Sequence, residues 1–231
     1  MRKLCLLIAL TGSLASYQCS ALTVNITRDP SYSQQPGGEF TVSLDPSDAG
    51  DPVFTSIINN YDPSTKVNGG FETFCLSSLI GAQGNPQNGT LTPNGVAVGT
   101  AWLYSKFVNQ TLLGYTWAPG AGREASAWEL QNAIWALQGT PVFDWAAANV
   151  FLTSAQFTSV FSSLAAAELA ASGAYNVDAL NLTHNNADGR PETSQPMLAV
   201  VSSAIPDGGA TVMLLGLALG GFCFFSRKLR A

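Results

Sequence analysis

The order of patterns along the chain predicts an α+β fold, a mainly β body with a helical lobe inserted into it. Three observations carry that reading: strand-type alternation near the start, a switch to helical spacing from residue 100, and a return to short apolar strands before residue 201. Residues 22–26 and 39–44 alternate apolar and polar side chains, with a turn-rich stretch at 29–38 between them. Residues 53–58 predict a further strand and 59–70 a loop rich in Asn, Asp, Pro and Gly. Residues 71–76 read as a strand that carries Cys75, and 80–95 as loop. Trp102, Leu103 and Phe107 then share one face of a helix, with Thr100 as its N-cap. After the breaker at 119–122, residues 123–138 predict a second helix, ended by Gly139 and Pro141. The Ala-rich stretch 151–172 predicts a third, closed by Gly173, and 175–182 and 197–201 read as strands around a polar loop. No internal repeat is visible.

Composition narrows the function classes. The chain has 231 residues and a net charge of −5, and only 11% of its residues are charged. Both ends are basic. Residues 22–205 hold five cations (Arg28, Lys66, Lys106, Arg123, Arg190) against fourteen acids, a balance of −9. Such a body has no electrostatic footprint for a phosphate backbone, which excludes nucleic acid as a partner. A basic start at Arg2 and Lys3, a short apolar run and small residues up to Ala21 describe a secretory signal peptide over residues 1–21, with cleavage after Ala15 as the alternative. The exported body is then residues 22–201, long enough for one domain with a sizeable core.

Residues 202–231 read as an address. The turn at 205–209, with Pro206, Asp207, Gly208 and Gly209, leads into an uncharged run at 210–225, and Arg227, Lys228 and Arg230 follow. The run is short for a spanning helix, but the basic cluster would hold that end in the cytoplasm. Turn, short transmembrane run and basic tail together resemble the PEP-CTERM class of sorting signals, in the variant whose motif reads roughly Val-Pro-Asp-Ser-Gly. Here Ile205 replaces Val and Gly208 stands where Ser is usual. The resemblance implies a Gram-negative bacterium, processing by an exosortase at the inner membrane, and display at the cell surface or in extracellular matrix. A GPI signal is the rival, helped by small residues at 202–204 and by Asn-x-Thr sites at Asn25, Asn88, Asn109 and Asn181. GPI signals end in their apolar tail, whereas this chain ends in a basic one.

Of four cysteines, Cys5 and Cys19 fall in the signal peptide and Cys223 in the apolar tail, so the exported body keeps Cys75 alone. An unpaired cysteine in an exported chain is either a small buried hydrophobe or a reactive group. On the second helix, Gln131 shares a stripe with Ala127, Trp128, Ile134 and Trp135. A primary amide there needs partners: nearby backbone, or a bond through its carbonyl. Phe74-Cys75-Leu76, and Leu130-Gln131-Asn132-Ala133-Ile134-Trp135 after a helical stretch, resemble the two signature motifs of bacterial thioester domains. The strand at 179–182 and a final apolar strand are similar to the end of that family. The resemblance covers residues 70–201 and implies an internal thioester between the Cys75 sulfur and the Gln131 carbonyl, in a single α+β thioester-type domain. Phe74, Trp128, Ile134 and Trp135 would surround it. Ser77 after the cysteine motif, and the lack of a long stalk, depart from the pattern.

What the resemblance implies is adhesion by covalent attachment: an amine or hydroxyl on a partner protein or polysaccharide attacks the Gln131 carbonyl and Cys75 leaves as thiolate. The protein is consumed, so it is not an enzyme, and no cofactor is called for. Only Lys66 and Lys106 in the body could quench the bond from within. Two other classes compete. A Cys75 hydrolase would need His184, the sole histidine, as base, yet that residue sits in a polar stretch that reads as an exposed loop. A structural matrix or biofilm protein would hold Cys75 free and buried and make only noncovalent contacts. One histidine and one cysteine cannot complete a closed zinc site, so no metal is expected.

Overall fold

A computed structural model describes residues 22–34, 37–48, 70–80, 84–92, 95–140, 149–170 and 173–201. The signal peptide, the strand expected at 53–58, most of the loop at 59–70, and the whole of 202–231 lie outside these residues. Among the described residues no helix is long and apolar enough to cross a membrane.

Seven strands form one antiparallel sheet: β1 (Leu22–Gln34), β2 (Gly37–Leu44), β3 (Gly70–Thr73), β4 (Gln87–Thr92), β5 (Val177–Asn185), β6 (Pro191–Thr193) and β7 (Met197–Val200). The strand order is β3-β2-β1-β4-β5-β6, and β7 also pairs with β5. Residues 74–76, just past β3, turn to the other end of the sheet. Leu198 N–H donates to Phe74 O at 3.2 Å, Leu76 N–H to Pro196 O at 2.9 Å, and Cys75 bridges Met197. These bonds close the sheet on itself, which leaves β3 and β7 without a free edge at this seam. Cys75 lies in the seam.

The period-2 alternation of strands sorts the side chains. Leu22, Val24, Phe40, Val42, Phe71, Cys75, Leu180, Leu182 and Met197 form one buried cluster on the inner face of the curved sheet. Phe74, Val177, Ala179 and Leu198 project the other way, into a second cluster shared with the helices. Those helices are α1 (Val98–Val108) and α2 (Ala121–Leu137), followed by two single turns, α3 (Ala155–Thr158) and α4 (Leu164–Ala167). They lie between β4 and β5 in sequence, so the α+β reading and the inserted helical lobe describe this architecture. α1 buries Trp102, Leu103 and Phe107 as its spacing predicts.

Four expectations need correction. β1 and β2 run deep into the stretch expected to be turn, because their pairing resumes at Ser33–Gly38 beyond a register shift. The loop expected at 80–95 contains β4, whose Asn, Gly and Thr residues carry no strand signal of their own. Pairing with β1 on one side and β5 on the other holds it, and Gly89 sits there because a Cβ would come within 2.8 Å of Leu180 Cδ1. Thr100 is inside α1 rather than its N-cap, which is Ala97. The third helix breaks into α3 and α4 because Ser154 and Ser163 each accept a backbone N–H through their hydroxyl and start a new turn.

Candidate functional site

The site is where α2 crosses the seam. α2 is amphipathic in an unusual sense, with two apolar faces for two cores. Ala127, Leu130, Ile134 and Leu137 enter the helical cluster, while Trp135 enters the inner-face cluster and the half-buried Trp128 packs on it. Gln131 lies between the faces and is fully buried. Its amide meets the backbone of Cys75 in a reciprocal pair: Cys75 N–H donates to Gln131 Oε1 at 3.0 Å, and Gln131 Nε2 donates to Cys75 O at 2.8 Å. The pair fixes the amide's orientation, since a flipped amide would set donor against donor. The Cys75 sulfur is three covalent bonds from that N–H, and both residues are buried.

Cys75 is a buried, free thiol. Burial pushes its pKa well above the ordinary value, and the positive charge of Arg28 opposes this only in part. Trp128 and Trp135 meet edge to face, with centroids 6.1 Å apart, beside Gln131. Phe74 and Ile134, expected around the same bond, instead point into the helical core. Alternation along the strand explains Phe74, which must face opposite to Cys75.

Two features of the site were not read from the sequence. Gly37, part of a pair taken as turn, lies against the amide: a Cβ there would come within 2.5 Å of Gln131 Cγ and 2.8 Å of Trp135 Cη2. The other is a buried ionic cluster at the start of α2. Arg123 Nε and Nη2 reach Glu39 Oε1 and Oε2 at 3.0 and 2.8 Å, and Nη2 reaches Glu72 Oε2 at 2.7 Å. Arg123 Nη1 donates to Trp117 O at 3.2 Å, Tyr115 donates its hydroxyl to Glu39, and Tyr104 donates to the Glu72 carbonyl at 2.8 Å. Burial works to lower the Arg123 pKa, but the hydrogen bonds and charges of Glu39 and Glu72 outweigh it and hold it raised. The available signal was local: Glu39 and Glu72 each lie within a buried strand in a body with few charges.

His184 is corrected from loop to strand. It lies in β5, with Nε2 3.8 Å from Glu192 Oε2, and its partner is therefore an exposed carboxylate rather than Cys75. Among the described residues no group of His, Cys, Asp and Glu side chains could hold a metal ion.

Comparison with known proteins bears on the end of the chain. Residues 204–229 match the VPDSG-CTERM motif. The chain carries a sorting signal of the PEP-CTERM type. Such a signal marks an exported protein, processed by an exosortase-like enzyme and destined for the cell surface. No curated protein and no solved structure matches the chain.

Proposed function

We propose that this exported protein attaches covalently to a surface or polymer through an internal thioester between Cys75 and Gln131, in a thioester-type domain over residues 22–201. The observation that carries the reading is the reciprocal pair of hydrogen bonds between the Gln131 amide and the Cys75 backbone. When the sulfur attacks Cδ of Gln131, negative charge develops on Oε1, and the Cys75 N–H is already bonded to that oxygen. A donor aimed at developing charge in a dry site is the arrangement that lowers acyl-transfer barriers. The S–Cδ bond forms, the Cδ–Nε2 bond breaks, and the thiol proton leaves with the nitrogen as ammonia. An incoming amine or hydroxyl then forms a bond to Cδ as the S–Cδ bond breaks, and Cys75 recovers its proton. Each molecule reacts once, so the protein is a reagent, not an enzyme. Burial of Gln131 against Trp135 keeps water from the acyl group before a partner arrives.

The role that follows is adhesion or matrix attachment after a transient stay at the inner membrane, with 210–225 as the membrane run. A second reading has its own support. The same two hydrogen bonds satisfy a buried amide and two buried backbone groups, as a purely noncovalent clip in a structural matrix protein would. Methylamine separates the two. Freshly purified protein incubated with it should carry an N-methylamide at Gln131, mapped by peptide mass, and Cys75→Ala should carry none. Unmodified Gln131 in both leaves the noncovalent clip.

A further inference from the structure

Two polar junctions tie α2 to β3 and the residues just past it. Arg123, in the first turn of α2, grips Glu39 of β2 and Glu72 of β3. Gln131, eight residues further along α2, meets Cys75, three residues past Glu72. Eight residues of helix advance about 12 Å, and three of extended chain about 10 Å. The junctions are therefore two rungs of nearly equal spacing between α2 and the chain that runs from β3 to Cys75. The ionic rung is the stiffer: a planar guanidinium holds both oxygens of Glu39 and one of Glu72, and all three side chains are buried. Glu39 is anchored further by the Tyr115 hydroxyl, and the Glu72 backbone by that of Tyr104.

We propose that Arg123, with Glu39 and Glu72, is a positioning cluster for acyl transfer at Gln131: it sets the depth of α2 against β3 and so the approach of the Gln131 carbonyl to the Cys75 sulfur. The proposal rests on the thioester reading and adds to it the residues that align its reacting atoms. None of the three touches the bond. A shift of α2 by about 1 Å would leave the fold intact, yet such misplacement of reacting groups can cost about 100-fold in rate.

The test is the rate of ammonia loss, followed by intact mass after the full chain is refolded under reducing conditions. It is run at a temperature where circular dichroism shows every variant folded. Arg123→Met and Glu72→Gln should form the bond about tenfold or more slowly. Arg123→Lys, which keeps the charge but not the fork, should fall between them and wild type. Leu103→Ala, a core truncation away from the cluster, should lose stability yet form the bond at the wild-type rate. If Arg123→Met does not fold, Glu72→Gln and Arg123→Lys carry the comparison. Wild-type rates in the cluster variants, or slowing that tracks melting temperature across all variants including Leu103→Ala, would overturn the positioning role and leave the thioester reading standing. A wild-type mass that never falls below that of its sequence would sink both.

Discussion

The start and the middle of α2 solve the same problem with opposite chemistry. At its start, Arg123 meets two buried carboxyl groups; two turns on, Gln131 meets a backbone amide and carbonyl. The ionic junction is costly to desolvate and severe to break at Arg123, whose removal strands two buried carboxylates. The neutral junction costs little to bury, because each of its polar groups finds a partner in the other. The helix thus carries a charged and a neutral junction two turns apart, and the carboxylates sit at the charged one.

Breaking each junction measures the difference. Arg123→Met should have the largest effect on stability, about 3–5 kcal/mol, since Glu39 and Glu72 are left facing each other without a counter-charge. Thermal or urea unfolding reads it. Gln131→Ala should cost about 2–4 kcal/mol, combining a cavity with two buried backbone groups of Cys75 that lose their partner. Equal losses in the two variants would contradict the ranking of charged over neutral. Gly37→Ala should cost about 1–3 kcal/mol, because its Cβ must displace Gln131 or the Trp135 ring. The same variant should lower methylamine uptake if the displaced group is the amide.

The smallest effect is on pH dependence, and it sharpens the comparison most. In the folded state burial raises the Cys75 pKa above its ordinary value of 9.0, so above that pH the unfolded chain loses a proton that the folded one keeps. A free Cys75 therefore contributes stability that is fully present below pH 9 and declines as pH rises, by about 1.4 kcal/mol per unit at most. Buried Tyr104 and Tyr115, also shifted upward by burial, add a similar slope at higher pH. Subtracting the Cys75→Ala profile removes their part. A remaining slope marks a free thiol; a flat difference is expected if the sulfur is acylated.

Much of the fold was legible because it rests on local periodicity. α2 is bounded by Gly120 and Gly139, both at positive φ, and its stripe of Trp, Gln and Ile is visible in sequence. β4 was hidden because Gln87, Asn88 and Gly89 gain their strand geometry from β1 and β5, not from their own propensity. The long helix expected at 151–172 failed on serine: Ser154 and Ser163 offer the backbone a cap, and Ala-rich propensity alone did not outweigh it. At the site, Cys75 and Gln131 were readable as unusual residues in their settings. Gly37, Glu39, Glu72 and Arg123 were not, because their meaning depends on contacts across 51 to 84 positions for the ionic pairs.

Alkylation of the folded protein cannot separate a thioester from a free thiol, since burial alone protects Cys75. Intact mass can. Joining of Cys75 to Gln131 with loss of ammonia is read directly from the mass of freshly purified protein beside its Cys75→Ala variant. Wild type should be lighter than its sequence by one ammonia, with the variant unchanged. Masses equal to sequence in both, from protein that has seen neither amine nor prolonged water exposure, would contradict it.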